Sequence, residues 1–147
     1  MRVDRDFDKV YEAHSDPWAI GEAESPRYDR YVELLRQHVK GSVLDIGCGM
    51  GALLARFRED ASELFGVELS RTAIERGARR FPFIQCHQGS AATMEDVAAI
   101  DGRDFDIIIC SDVIYYLADR DKDRLVAWIA RHLAPGGKAL IAAYCPG

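Results

Sequence analysis

The sequence VLDIGCGMGA, residues 43–52, joins a short apolar strand to a glycine-rich turn. Gly47, Gly49 and Ala52 fit the G-x-G-x-x-G/A pattern by which the first strand of a dinucleotide-binding sheet turns into a helix. Asp45 stands just ahead of these glycines and has no part in that pattern. A carboxylate repels a diphosphate and attracts an ammonium or sulfonium group, so Asp45 favours a ligand that carries a positive charge.

Helical and strand patterns alternate on both sides of this turn. Upstream, a helix is predicted after Ser25-Pro26, where apolar residues recur at helical spacing as far as Val39. Downstream, Ser70 is a candidate helix cap, and APGG ends the last helix. The predicted strands are 43–46, 64–68, 83–87, 105–110 and 138–144, and further helices are predicted at 52–58, from Ser70 to Phe81 and at 122–133. This alternation predicts an α/β fold, a doubly wound parallel sheet with helices on both faces.

Length and composition limit the domain count and the kinds of partner. The chain has 147 residues and is 48% hydrophobic, which suits one domain with its own core. We expect a helical cap over residues 1–40 and an α/β core over residues 41–147. The net charge of −5 weighs against a nucleic-acid partner and favours a small-molecule or sugar-like substrate. No stretch is apolar enough for a signal or a membrane span, so we expect no membrane association and a cytoplasmic location.

The cysteines and histidines are scattered along the chain. The four cysteines form no C-x-x-C pair and lie in or beside apolar segments, so we expect free thiols rather than a disulfide or a metal site. The four histidines show no ligand spacing. We therefore expect no bound metal.

Two predicted strand ends carry groups that suit a nucleoside-bearing cofactor. At the first, Gly47, Gly49 and Gly51 allow the backbone to approach a ligand closely, and Cys48 between them is assigned to the cofactor with them. At the second, Glu68 lies about 20 residues past the loop, where a carboxylate accepts hydrogen bonds from a ribose diol. A ribose occurs in several cofactors, so Glu68 does not distinguish among them.

Four segments in order carry a resemblance: VLDIGCGMG, FGVELS, FDIIICSDVIYYL and LAPGGKALI. Together they resemble the motifs of class I S-adenosylmethionine-dependent methyltransferases, over roughly residues 36–144. The resemblance implies a Rossmann-like sheet that binds S-adenosylmethionine and releases S-adenosylhomocysteine. It implies that Asp45 helps to hold the amino-acid portion of the cofactor, that Glu68 binds the ribose hydroxyls, and that Leu69 packs near adenine.

The segment SDPWAIGEAESPRYDRYVELL is similar to the N-terminal region of the nodulation protein S group, which N-methylates an amino sugar of a chitooligosaccharide. That similarity implies that Trp18 and Tyr31 line the cofactor, and more weakly Arg27. Ser90 stands where many relatives have an aspartate that contacts the adenine amine. By resemblance, Ser90 and Ala91 are therefore assigned to the adenine.

The sequence CSDVIYYL follows the fourth predicted strand, so its side chains should face the reacting methyl group. Ser111 is expected on the cofactor side. Asp112 is the candidate to orient a substrate amine or take a proton from it. Tyr115 and Tyr116 could wall the acceptor pocket, because aromatic faces suit cationic groups.

The family's sheet ordinarily closes with two further strands, whereas this sequence stops at YCPG. We therefore expect either a fragment that ends before the last two strands or a core in which those strands are absent or replaced. The leading hypothesis is a methyltransferase that acts on a small molecule, at an amine nitrogen. Two alternatives stay open, a non-catalytic S-adenosylmethionine-binding or interaction module and an NAD(P)-dependent oxidoreductase that uses Ala52 as its third small residue.

Overall fold

The computed structural model describes residues 6–13 and 25–143, which form a parallel sheet with helices around it. The sheet has five strands in the order β3-β2-β1-β4-β5. All four strand pairs are parallel, which confirms the predicted doubly wound sheet. The strands are β1 Ser42–Ile46, β2 Glu63–Glu68, β3 Ile84–Gln88, β4 Phe105–Ser111 and β5 Leu133–Ala142. Chain order reverses direction between β1 and β4, and in such sheets ligands bind at the carboxyl ends beside that point.

Six α-helices accompany the strands in the described residues. They are α1 Phe7–Ala13, α2 Ser25–Leu35, α3 Ala52–Ala55, α4 Arg71–Arg80, α5 Ala98–Asp101 and α6 Asp119–His132. Helix α2 begins at Ser25, the predicted cap, and ends at Leu35, before the predicted limit at Val39, where a 3₁₀ turn follows. As predicted, Ser70 caps α4 by accepting a hydrogen bond from the Ala73 N–H at 3.1 Å. Within the described part of the chain, no helix combines the length and the hydropathy needed to cross a bilayer.

Each face of the sheet packs on a separate hydrophobic cluster, because side chains alternate along a strand. Val43, Ile107 and Ile109 lie in the cluster that includes α2 and α3. Leu44 and Ile108 lie in the cluster that includes α6. All five of these side chains are fully buried. Burying a side chain of this size contributes about 1.5–3 kcal/mol, so the central strands form the rigid part of the molecule.

The structure shortens one predicted helix and adds one that was not predicted. The prediction placed a helix over 52–58, but α3 stops at Ala55, because the Arg56 N–H donates to the Leu53 carbonyl three residues back, at 3.1 Å. Between β3 and β4, the chain forms a kinked 3₁₀ segment, Ala91–Asp96, and then the short α5. These connections are tighter than the long crossover helices that the alternating pattern indicated.

The last helix and strand also differ from their predicted limits. Helix α6 begins at Asp119, three residues before the predicted start at 122. Strand β5 begins at Leu133, opposite Phe105, although APGG had been expected to separate helix from strand. Pairing resumes only at Lys138, opposite Ile107, so residues 134–137 form a bulge on the edge of the sheet.

Candidate functional site

A cavity of about 830 Å³ opens at the carboxyl ends of β1, β2 and β4. Its volume is at the upper end of the range for small-molecule sites, which leaves room for a cofactor and a second ligand. Most of the residues predicted from the sequence line it: Asp45, Gly47, Cys48, Gly49, Glu68, Leu69, Ser90, Ala91, Ser111, Asp112, Tyr115 and Tyr116.

The glycine loop is folded back onto the end of β2. The Gly47 and Cys48 N–H groups both donate to the Val67 carbonyl, at 2.7 Å and 3.2 Å. Gly49 has a φ of +58°, and a Cβ there would lie 2.9 Å from the Tyr11 hydroxyl oxygen. Glycine is therefore required at 49 by backbone conformation and by the close approach of α1.

Glu68 braces this loop. Its Oε1 accepts from the Gly49 N–H at 2.9 Å, and its Oε2 accepts from the Ser70 N–H at 2.7 Å. Burial raises the pKa of Glu68, and the two backbone donors oppose that rise. One carboxylate thus joins the glycine loop to the start of α4. Each oxygen keeps a further lone pair, so the predicted contact with ribose hydroxyls is compatible with this bracing.

Asp45 is buried at the end of β1, with 4% of its surface exposed. Its carboxylate lines the cavity and has no hydrogen-bond partner among the residues that the structure describes. Burial, and then the charge of Glu68, raise the pKa of Asp45 well above its ordinary value. A cationic group in the cavity would supply the missing partner. The residues present therefore fit a cofactor with an ammonium group.

The predicted adenine side is formed by the rim of the cavity. Leu69 is exposed there, with 47% of its surface accessible. Ser90 and Ala91 also line the cavity, but the Ser90 hydroxyl accepts from the Ala92 N–H at 3.1 Å and caps the 3₁₀ segment that follows. A serine hydroxyl has a donor and a second lone pair left, so its predicted contact with adenine stays a prediction.

The end of β4 carries the acidic group predicted for the acceptor. Asp112 has a φ of +59°, a left-handed conformation that few non-glycine residues adopt and that is often found at functional sites. Arg27 on α2 donates to Asp112 Oδ2, and also to the Ser111 hydroxyl at 3.3 Å. The Tyr31 hydroxyl lies 3.4 Å from the same serine oxygen. Helix α2 therefore fixes the end of β4 through the side chains of Arg27 and Tyr31.

Two tyrosines border the cavity beside Asp112. The ring centroids of Tyr115 and Tyr116 are 4.6 Å apart, and Phe7 of α1 meets Tyr116 edge-on at 5.5 Å. Burial, and then a hydrogen bond with Tyr116, raise the pKa of Tyr115 to about 12. Tyr115 therefore keeps its proton at neutral pH, which suits a wall or a donor rather than a base.

Helix α1 lies within the predicted helical cap and covers the cavity, but sequence reasoning named none of its residues for the site. Phe7 and Tyr11 line the cavity, and Tyr11 is buried. From the same helix, Asp8 Oδ1 accepts from the Ser70 hydroxyl at 2.6 Å and the Thr72 N–H at 3.1 Å. These bonds lower the pKa of Asp8. No sequence signal marks Asp8, because its partners are more than 60 residues away.

Three predicted site residues stand apart from the rest. Gly51 lines a separate pocket of about 80 Å³ behind the loop. Tyr31 is not part of the cavity lining, and it contacts the site through the Ser111 hydroxyl and through the Arg27 guanidinium, which lies 5.6 Å from its ring centroid. Trp18 lies outside the described residues, so its predicted role stays a prediction.

Comparisons with known proteins fit this geometry. The family described as "Methyltransferase domain" matches residues 44–139. A dTDP-4-amino-2,3,4,6-tetradeoxy-D-glucose N,N-dimethyltransferase from Saccharopolyspora spinosa is 35% identical over 140 residues, which are 92% of this chain and 51% of that protein. The chain thus spans about half the length of this relative.

Two solved structures share the fold. The N-methyltransferase NodS from Bradyrhizobium japonicum WM9, in complex with S-adenosylhomocysteine, superposes with a TM-score of 0.77 over 88% of this chain and 67% of that chain, at 24% identity. A structure of a S-adenosylmethionine-bound amino pentose methyltransferase from Micromonospora echinaspora gives a TM-score of 0.73 over 98% of this chain and 60% of that chain, at 25% identity. The chain therefore belongs to the methyltransferase domain family and has the Rossmann-like fold that its motifs predict.

Proposed function

We propose that this chain binds S-adenosylmethionine and transfers its methyl group to the amine nitrogen of a small, sugar-like molecule. One observation carries the proposal. A single cavity joins the braced glycine loop and the unpartnered Asp45 at one side to Asp112 and the tyrosine pair at the other. A methyl donor and an acceptor placed at these two sides would meet inside one enclosed volume.

At the cofactor side, three groups are assigned to three parts of the donor. Asp45 would pair with the ammonium of its amino-acid portion, and Glu68 would accept hydrogen bonds from the ribose. The adenine would lie against Leu69, near Ser90 and Ala91. When bound, S-adenosylmethionine supplies a methyl group on a sulfonium, whose thioether leaves without the help of an acid.

At the acceptor side, Asp112 would position the nucleophile. Its Oδ2 is held by Arg27, whereas its buried Oδ1 has no hydrogen-bond partner among the described residues. Asp112 lines the cavity, so a rotation of its carboxylate would bring that oxygen to the substrate, where it would accept a hydrogen bond from an N–H and aim the nitrogen lone pair at the methyl group. It can also take the proton that the amine must lose. The faces of Tyr115 and Tyr116 would stabilise the positive charge that develops on nitrogen.

The relatives support an amine as the acceptor. The protein from Saccharopolyspora spinosa is named for N,N-dimethylation of an amino sugar, and the Micromonospora structure is named as an amino pentose methyltransferase. An amine needs only to lose one proton, and a single carboxylate is enough for that step. A sugar hydroxyl is far less acidic and would need a stronger base than Asp112 offers.

Calorimetry with S-adenosylmethionine and S-adenosylhomocysteine tests the cofactor. A second assay follows methyl transfer to a panel of amino sugars, each matched by the same sugar with a hydroxyl at the amine position. We expect both cofactor forms to bind and only the amines to be methylated. Binding without transfer to any amine would favour a non-catalytic module, and an increase in NADH fluorescence on mixing would favour an oxidoreductase. Failure to bind either cofactor form would overturn the proposal.

A further inference from the structure

Two cysteines that are far apart in the sequence meet beside the glycine loop. Cys48 lies in the loop after β1, Cys86 lies on β3, and their sulfur atoms are 3.4 Å apart. Both are free thiols in the structure, as is Cys110. The fold therefore brings together two thiols that are 38 residues apart in the sequence.

A glycine between the two thiols makes this contact possible. Strand β2 lies between β1 and β3, and Gly66 of β2 is paired in register with Cys86. A Cβ on Gly66 would lie 2.5 Å from Cys48 Sγ and 3.4 Å from Cys86 Sγ. The two thiols meet across β2 because the residue between them has no side chain.

The thiol pair can also be reached from outside the large cavity. A pocket of about 80 Å³ is lined by both cysteines, together with Met50, Gly77 and Phe81. Cys86 is half-buried, whereas Cys48 is 8% exposed. A small oxidant can therefore approach the pair through this second pocket, and Cys86 is the more accessible of the two residues.

We propose that Cys48 and Cys86 are an oxidisable thiol pair, which a hydroperoxide converts to an intramolecular disulfide that weakens cofactor binding at the adjoining loop. In the first step, the Cys86 sulfur attacks the peroxide oxygen, giving a sulfenic acid and releasing the alcohol, or water when hydrogen peroxide is the oxidant. In the second step, the Cys48 sulfur attacks the Cys86 sulfur and expels water. Two thiols are oxidised, one peroxide is reduced, and each cysteine loses one hydrogen.

The order of these steps follows from the surroundings of the two thiols. The hydrogen-bonded contact with Cys86, and then burial, raise the pKa of the Cys48 thiol well above its usual range. A buried thiol that keeps its proton reacts slowly with an external oxidant. Cys48 is therefore the second thiol to react, after Cys86 has been oxidised beside it.

The disulfide would deform the cofactor loop. A disulfide needs its sulfur atoms about 2.05 Å apart, so the two cysteines must approach each other from the present separation of 3.4 Å, and any movement of Cys48 displaces the loop. Cys48 is followed directly by Gly49, whose N–H is held by Glu68 at 2.9 Å. Loss of this one hydrogen bond to a charged acceptor would lower affinity about tenfold. This effect on binding rests on the proposed function, whereas formation of the disulfide does not.

The experiment uses the full chain with Cys145→Ser, so that Cys145 takes no part in the result. Protein is treated with hydrogen peroxide, and free thiols are then counted under denaturing conditions. Peptide mapping identifies the linked cysteines, and calorimetry measures S-adenosylhomocysteine binding before and after reduction. We expect two thiols to be lost, a linked Cys48–Cys86 peptide, and affinity about tenfold lower that returns on reduction.

Two further variants in the same background serve as controls. Cys86→Ser should bind S-adenosylhomocysteine normally and keep its affinity after peroxide, whereas Cys110→Ala should still form the linked peptide. No Cys48–Cys86 link after treatment would overturn the proposal, and a link without a change in affinity would overturn its effect on the loop. If the reduced protein does not bind S-adenosylhomocysteine, the proposed function fails, and the mapping still decides whether the disulfide forms.

Discussion

The two sides of the cavity are held in place in different ways. At the ends of β1 and β2, the contacts are backbone hydrogen bonds from Gly49 and Ser70 to one buried carboxylate, Glu68. At the end of β4, Asp112 is held by the side chain of Arg27, which lies on α2, 85 residues away in the sequence. About a quarter of the Asp112 side chain and a third of the Arg27 side chain are exposed.

The cavity therefore has a pre-organised side, at the ends of β1 and β2, and an adjustable side, at the end of β4. Backbone donors have little freedom, so the loop around Glu68 presents one fixed shape to a cofactor. A partly exposed ion pair between two side chains can be rebuilt by changing either residue, without altering the sheet. Changes at the β1–β2 side should therefore affect cofactor affinity, and changes at the β4 side should affect turnover.

Replacing the acceptor-side carboxylate should have the largest effect. Asp112→Asn keeps the shape and the left-handed backbone but removes the proton acceptor, so kcat/KM should fall about 100-fold or more. Affinity for S-adenosylhomocysteine should stay within about twofold. Steady-state kinetics and calorimetry measure the two quantities. Asp119→Asn, at an exposed carboxylate of α6, is the matched control. Full activity of Asp112→Asn would remove this residue from the mechanism.

Replacing the brace at the cofactor side should have the next largest effect. Glu68→Gln keeps the volume but places an amide NH₂ against one of the two N–H donors. Each hydrogen bond to a charged acceptor contributes about 1.5–3 kcal/mol, so the affinity for S-adenosylhomocysteine should fall about 10- to 100-fold. Calorimetry measures it, and Glu63→Gln at the exposed start of β2 is the control. Unchanged affinity would show that the loop needs no brace.

Removing the cation that holds Asp112 should have a smaller effect. Arg27→Met keeps much of the apolar stem and releases Asp112, and we expect kcat/KM to fall about tenfold. In an Asp112→Asn background the same change should do little, because the two residues act as one unit. Arg30→Met, on the same helix and paired with Glu33, is the control. Fully additive losses would mean that Arg27 acts independently of Asp112.

The smallest effect concerns the stability of the fold. Burial and the charge of Glu68 raise the pKa of Asp45 well above 3.8. As pH rises above about 3.8, the Asp45 carboxyl loses its proton in the unfolded chain before it does so in the folded chain. Deprotonation therefore favours the unfolded chain, and Asp45 lowers the free energy of unfolding at higher pH. Asp45→Asn should therefore be more stable than the wild type at about pH 8, by about 1 kcal/mol, although it should bind the cofactor less well.

Urea unfolding measures this difference at two pH values. The gain in stability should shrink at about pH 3, where the wild-type carboxyl is also neutral in both states. Asp104→Asn, at an exposed position, separates the effect of Asp45 from that of net charge. A gain that is equal at both pH values would contradict the assigned cause.

The sequence predicted the side of the site that depends on local pattern. The strands, the glycine loop, Asp45 and Glu68 could all be placed, because strand periodicity and loop spacing act over short stretches. The side chains that complete the site could not be paired. Arg27 and Asp112, Asp8 and Ser70, and Cys48 and Cys86 are separated by 85, 62 and 38 residues. Such pairs depend on how helices and strands are placed against each other, which no local pattern encodes.

The left-handed backbone at position 112 limits which residues evolution can place there. Most side chains are disfavoured in that conformation, while asparagine and aspartate are accepted more readily than others. Glutamate would keep the negative charge that pairs with Arg27, but it does not favour the left-handed conformation. Asparagine would favour that conformation, but it would lose the charge. Aspartate alone among the acidic residues satisfies both demands. Homologues that retain the turn but not the acid should therefore carry asparagine or glycine at this position.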